Sequence, residues 1–194
     1  VPEALRADAR HNHDQLLTAA RAAFAEHGTE ASLRDIARRA GVGIGTLYRH
    51  FPTREALLQA LMRDRFDGLA RRAADLLAEP SPRDALATWL AEVAAGSATY
   101  RGLPESVMAA LRDEESELHA SCAAMRAAGS QLLERAQTRG GVRHDVTTEE
   151  LLAIAAGMAW AGEQSPGRPE LARRLLSLAM TGISQTEDPP ERAR

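Results

Sequence analysis

The chain has 194 residues, of which 44% are hydrophobic, 26% charged and only 4% aromatic. Length and apolar content suffice for one or two packed domains, with Leu, Ala, Val, Met and Ile left to build the core. A formal charge of -3 excludes a uniformly basic nucleic-acid coat and leaves open a local basic patch; every one of the 24 cationic residues is Arg.

Leu16, Leu17, Ala20, Ala23 and Phe24 recur at helical spacing, with Asn12 and Gln15 placed as a capping box and Gly28 as a terminator. Ser32 then caps a short helix, Leu33 to Ala40, with Asp35 as its box partner and Gly41 as its stop. After a brief turn, IGTLYRHF forms a second short helix that turns Leu47 and Phe51 inward and ends at Pro52. Thr53 caps a fourth helix running to about Ala78.

Beyond EPSP, Ser81 and Asp84 open a helix from Pro82 to about Ala98. Gly102 and Pro104 precede a short helix ending at Leu111, and a long one covers about Glu114 to Thr138. Thr147 with Glu150 starts the next, to about Ala161, and the last spans about Pro169 to Gly182. The polar tail 185–194 reads as disordered. The fold class is all-α with about nine helices: a three-helix domain in 1–56, then a larger helical domain in 57–184.

Charge singles out one segment. Residues 32 to 54 hold Arg34, Arg38, Arg39, Arg49 and Arg54 against the single acid Asp35, a window of +4. Two short helices joined by a glycine turn suit either a helix-turn-helix or an ordinary hairpin in an all-α enzyme or scaffold. The exposed polar groups on Ile44 to His50 favour DNA.

The chain carries FAEHG (24–28), DIARRAGV (35–42), TLYRHF (46–51) and REAL (54–57). As a set these resemble the DNA-binding domain of the TetR family of bacterial transcriptional regulators. The resemblance implies a ligand-responsive regulator, a repressor released from its operator by a small molecule. It places Ser32, Ile44, Thr46, Tyr48, Arg49, His50 and Arg54 at the DNA. Arg49 is assigned to base readout, with phosphate contact as the alternative, and Arg54 to phosphate. Gly43 and Ile44 depart from the polar residues common at their positions. Arg6 and Arg10 read as a solvated tail, with a minor-groove arm as the alternative.

Downstream, AQTRGGVRHDV resembles a pattern preceding the penultimate helix in a subset of the family. The resemblance implies a homodimer joined through the last two helices, with Leu151, Leu152, Ala155, Ala156 and Ala159, together with Leu171, Leu175, Leu178 and Ala179, supplying the packing faces. A small, largely apolar effector would meet Trp89, Val93, Tyr100, Met108, Cys122, Met125 or Trp160, each of which also suits core. His119 adds a weak polar candidate. Expected partners are therefore a pseudo-palindromic double-stranded operator, a second copy and that effector.

No zinc spacing, nucleophile elbow, phosphate loop or dinucleotide fingerprint is present, so neither enzymatic activity nor a metal or cofactor is expected. A lone Cys122, no long apolar run and an opening without a signal-peptide core predict a cytoplasmic protein with no membrane association, and the resemblance implies a bacterial one. The alternative is a helical ligand-carrying or protein-interaction module whose DNA unit is vestigial.

Overall fold

The computed structural model describes residues 2–95, 103–165, 167–168 and 170–184. Among them are nine α-helices: α1 Pro2–His27, α2 Leu33–Arg39, α3 Ile44–His50, α4 Arg54–Leu76, α5 Pro82–Ala95, α6 Glu105–Arg112, α7 Glu117–Thr138, α8 Thr148–Glu163 and α9 Leu171–Gly182. One 3₁₀ turn, Gly28–Glu30, joins α1 to α2. The described residues contain no strand, and the fold is all-α. Tyr100, Pro169 and the tail 185–194 lie outside the described residues.

Local chemistry sets most boundaries. Ser32 Oγ accepts the Asp35 amide at 3.4 Å, Thr53 Oγ1 accepts that of Ala56 at 3.1 Å, and Ser81 Oγ that of Asp84 at 3.3 Å. At α8 the box closes both ways, Thr147 Oγ1 taking the Glu150 amide and the Glu150 carboxylate taking the Thr147 amide at 2.9 Å. The box expected at Ser32 is only half formed, because the Asp35 carboxylate is occupied by Arg38 and Arg39.

Two helix starts differ from the sequence reading. α1 does not begin at Asn12. It runs through from Pro2, since PEALRADAR places Pro at the first position and then strong helix formers. Arg10 is accordingly an exposed helical residue rather than part of a tail. α7 begins at Glu117 instead of Glu114, because Ser116 supplies the cap: its Oγ accepts the His119 amide at 3.0 Å. Asp113 meanwhile holds Glu115 and Ser116 in a turn.

The helices group into two compact units, one of residues 1–68 with 96–124 and the other of 69–95 with 125–194. In the first, Leu16, Phe24, Ile36, Leu47, Leu57, Leu58 and Leu61 are almost wholly buried, joined by Val107 of α6 and Leu118 of α7. Fully burying one such side chain contributes roughly 1.5–3 kcal/mol. This shared core fixes α2 and α3 against α1 and α4. His119 Nδ1 donates to the Leu111 carbonyl at 2.9 Å and so finishes α6.

In the second unit the core comprises Leu86, Trp89 and Leu90 of α5 with Leu132, Leu133 and Ala136 of α7, Leu151 and Ala155 of α8, and Leu176 and Met180 of α9. Trp89 Nε1 donates to the Leu69 carbonyl at 3.0 Å, which satisfies its buried polar atom. The AQTRGGVRHDV segment acts as a built loop. Gln137 Nε2 donates to the carbonyls of Arg143 and Val146, both at 2.9 Å, and Arg143 pairs with Asp145.

Candidate nucleic-acid interface

The turn between α2 and α3 is made by Gly41, whose φ of +69° suits a residue without Cβ. Its amide reaches the Arg38 carbonyl at 3.1 Å and the Val42 amide reaches that of Ala37 at 3.0 Å, the double closure that ends a helix sharply. The chain then re-enters a helix at Ile44, with the Gly43 carbonyl accepting the Thr46 amide at 2.9 Å. Leu47 is fully buried and Phe51 nearly so, which anchors one face of α3 in the core. Ile44, Gly45, Tyr48 and Arg49 are left on the outside.

The outward face combines several chemistries. Tyr48 is 49% exposed, with its phenol available as donor or acceptor. Arg49 lies back along the helix and donates to Thr46 Oγ1 at 2.8 Å, a contact that water or a phosphate can readily replace. Ser32 is exposed at the head of α2, its hydroxyl oxygen engaged as the cap. Arg34, which sequence reasoning passed over, is also exposed on α2. It borders an open surface cleft with His27, Glu30, Ser32, Asp35 and Arg38.

His50 is only half-buried. Its ring lies 5.8 Å from that of His13 on α1, and His13 packs at 5.0 Å against Phe51. Burial holds the His50 pKa below its ordinary 6.5, with repulsion from His13 and Arg49 acting in the same direction. Nothing local marks His13 as its neighbour, since the pairing depends on tertiary packing.

Arg54 has a different occupation from the phosphate contact expected of it. Its Nη1 donates to the carbonyls of Thr29 at 2.7 Å and Ala31 at 2.6 Å, so it clamps the connection from α1 into α2. Arg39 is bound by both carboxylate oxygens of Glu26, at 2.9 and 2.8 Å, and also by Asp35. Much of the +4 window is thus spent holding the unit together.

The remaining candidates divide by environment. Trp89, Val93 and Met125 are buried in the second unit, while Met108 and Cys122 are half-buried in the first. Trp160 is 59% exposed on α8 and does not join Trp89 in the interior. Of the proposed dimer residues, Leu151, Ala155 and Ala159 are buried within their own unit. Leu152, Leu171, Leu175 and Ala179 are half-buried, and Ala156 and Leu178 are exposed. Among the described residues no cluster of metal-ligating side chains occurs, and no helix is long and apolar enough to cross a membrane.

Two family models match the chain. Residues 16–61 match the bacterial regulatory proteins of the tetR family, and residues 81–185 match the SbtR-like transcriptional regulator C-terminal domain. Among solved structures, the TetR transcriptional regulator SCO0520 of Streptomyces coelicolor is 35% identical. That comparison covers 89% of this chain and 98% of that one, with a TM-score of 0.72.

The transcriptional repressor KstR2 of Rhodococcus jostii is 28% identical over 188 residues, which is 88% of this chain and 90% of that protein. A regulator of Staphylococcus aureus, SAR0097, is 40% identical over 77 residues, 38% of this chain and 40% of its own length. The exposed face of α3, the glycine turn before it and the helices of 81–185 matching a regulator's C-terminal domain are accounted for together: the chain belongs to the TetR family of helix-turn-helix transcriptional regulators and is a ligand-responsive, DNA-binding regulator.

Proposed function

We propose that the chain works as a homodimeric repressor on a pseudo-palindromic operator and leaves it when a small, largely apolar molecule enters the C-terminal helices. The observation that carries this reading is the α3 face, where a buried Leu47 presents Ile44, Tyr48 and Arg49 outward from a fixed frame, beside a half-buried Thr46. Arg49 is the side chain suited to two bonds with guanine, and Tyr48 and Arg34 are suited to phosphate. The repressor KstR2, similar over nearly the whole chain, supports the sign of regulation.

Dimerisation is supported by the outer surface of α8 and α9. Trp160 and Leu178 are 59% and 57% exposed, and the small residues Ala153, Ala156 and Gly157 leave room for a second helix beside Trp160. The buried apolar side chains of Trp89, Val93 and Met125 in the second unit favour an effector with little charge. Such a molecule releases DNA only if it binds more tightly to the dimer whose two heads are wrongly spaced.

Selection from a random duplex pool with the full chain tests the proposal. Enriched sequences should be inverted repeats whose half-sites lie one helical turn apart, about 34–36 Å, or a multiple of it. A pool without such symmetry after selection would remove the dimeric-operator reading.

A further inference from the structure

Among the described residues, the exposed large hydrophobic side chains are Ile44, Tyr48, Trp160 and Leu178. Half of them therefore stand on α3, a helix of only seven residues. Ile44 and Tyr48 are four apart and share one face, so they form an outward apolar strip beside Thr46 and Arg49. Single exposed hydrophobics are ordinary, but Ile44 is not alone and has unusual neighbours.

Those neighbours are Gly43 and Gly45. Neither has a positive φ, unlike Gly28, Gly41 and Gly140. A Cβ built on either would meet nothing within 4 Å, so no crowding inside the chain calls for glycine. Gly45 lies within α3, where glycine disfavours the helix relative to alanine, while Gly43 is its N-cap. The effect of the pair is external: the Ile44 side chain stands clear, with open backbone on both sides for a close-fitting surface.

We propose that Ile44, bared by Gly43 and Gly45, reads a thymine through its C5-methyl group in the major groove. This rests on the DNA-binding reading above and goes beyond it by naming a base. In the major groove the thymine methyl is the apolar group on a standard base edge. Contact there buries methyl against the Ile44 side chain. A purine would place a hydrogen-bonding group against a side chain that cannot answer it, and cytosine, with C5–H, would leave the space of the methyl unfilled. Arg49, one turn further along α3, supplies the complementary polar contact.

The test uses the full chain and a duplex selected by it, with thymines replaced by deoxyuridine one symmetric pair at a time. Removing the read methyl should weaken binding about fourfold per half-site, or about fifteenfold for both, as expected for one buried carbon. The same replacement should have no effect on Ile44→Ala, which still folds because Ile44 is not in the core. Gly45→Ala should raise the thermal midpoint yet weaken binding to the same duplex, a split that a purely structural glycine would not produce.

If no thymine is felt, or if native chain and Ile44→Ala lose affinity equally, the inference falls while specific binding to the unmodified duplex keeps the parent reading. If the selected duplex binds no better than a scrambled one, both fall.

Discussion

Arg54, expected at phosphate, also has a structural role in the folded chain. Its charge and place at the head of a helix suggest phosphate, but its guanidinium is held by the Thr29 and Ala31 carbonyls. Arg54→Ala should therefore destabilise the fold by about 1–3 kcal/mol, seen as a lower urea midpoint with unchanged slope. Lost DNA affinity with stability intact would return Arg54 to the phosphate backbone.

His50 makes a second residue-scale prediction. Its pKa in the folded chain lies below the ordinary 6.5, first through burial and then through His13 and Arg49. As pH falls below about 6.5 the unfolded chain takes up the proton first, so stability is lost across the interval down to the lowered value. His50→Gln should flatten the decline of thermal midpoint between pH 7 and 5. An unchanged pH profile would assign the acid sensitivity to other groups.

At the scale of elements, α2 and α3 were legible because their ends are written locally, in Ser32, Gly41 and Pro52. The start of α7 was less so, since Glu114 and Glu115 looked helical until Ser116 took the cap. Buried and exposed faces of α8 were not separable either. LLAIAAGMAWAG is apolar nearly all round, so periodicity could not tell Ala155 in the core from Trp160 outside. Such a helix shows its faces only when its neighbours are placed.

The seat of Trp89 is another feature hidden from sequence. Its six-membered ring lies so close to Gly129 on α7 that a Cβ there would overlap it. Gly129→Ala should displace the indole, break its bond to the Leu69 carbonyl and cost about 1–3 kcal/mol by overpacking. The fluorescence of Trp89, measured in a Trp160→Phe background, should shift to the red. Unaltered emission and stability would mean the helices part easily at that point.

For the whole molecule, a net charge of -3 concealed a reading head, yet the +4 window overstated the charge free to meet DNA. Glu26 and Asp35 neutralise much of Arg38 and Arg39, which leaves Arg34 and Arg49 as the exposed cations of that segment without such pairing. Salt dependence should consequently be moderate for each chain and doubled in a dimer. The apolar surface on α8 and α9 makes the oligomer testable on its own. Sedimentation should give twice the 20.9 kDa chain mass, and Trp160→Glu with Leu178→Glu should return a folded monomer.

The exposed face of α3 implies sequence-specific binding of duplex DNA. A fluorescence-anisotropy titration compares a duplex selected by the chain with a scrambled duplex of equal composition, at physiological salt. The selected duplex should bind at least about 10³-fold more tightly. Equal affinity for the two would mean that α3 does not read DNA sequence.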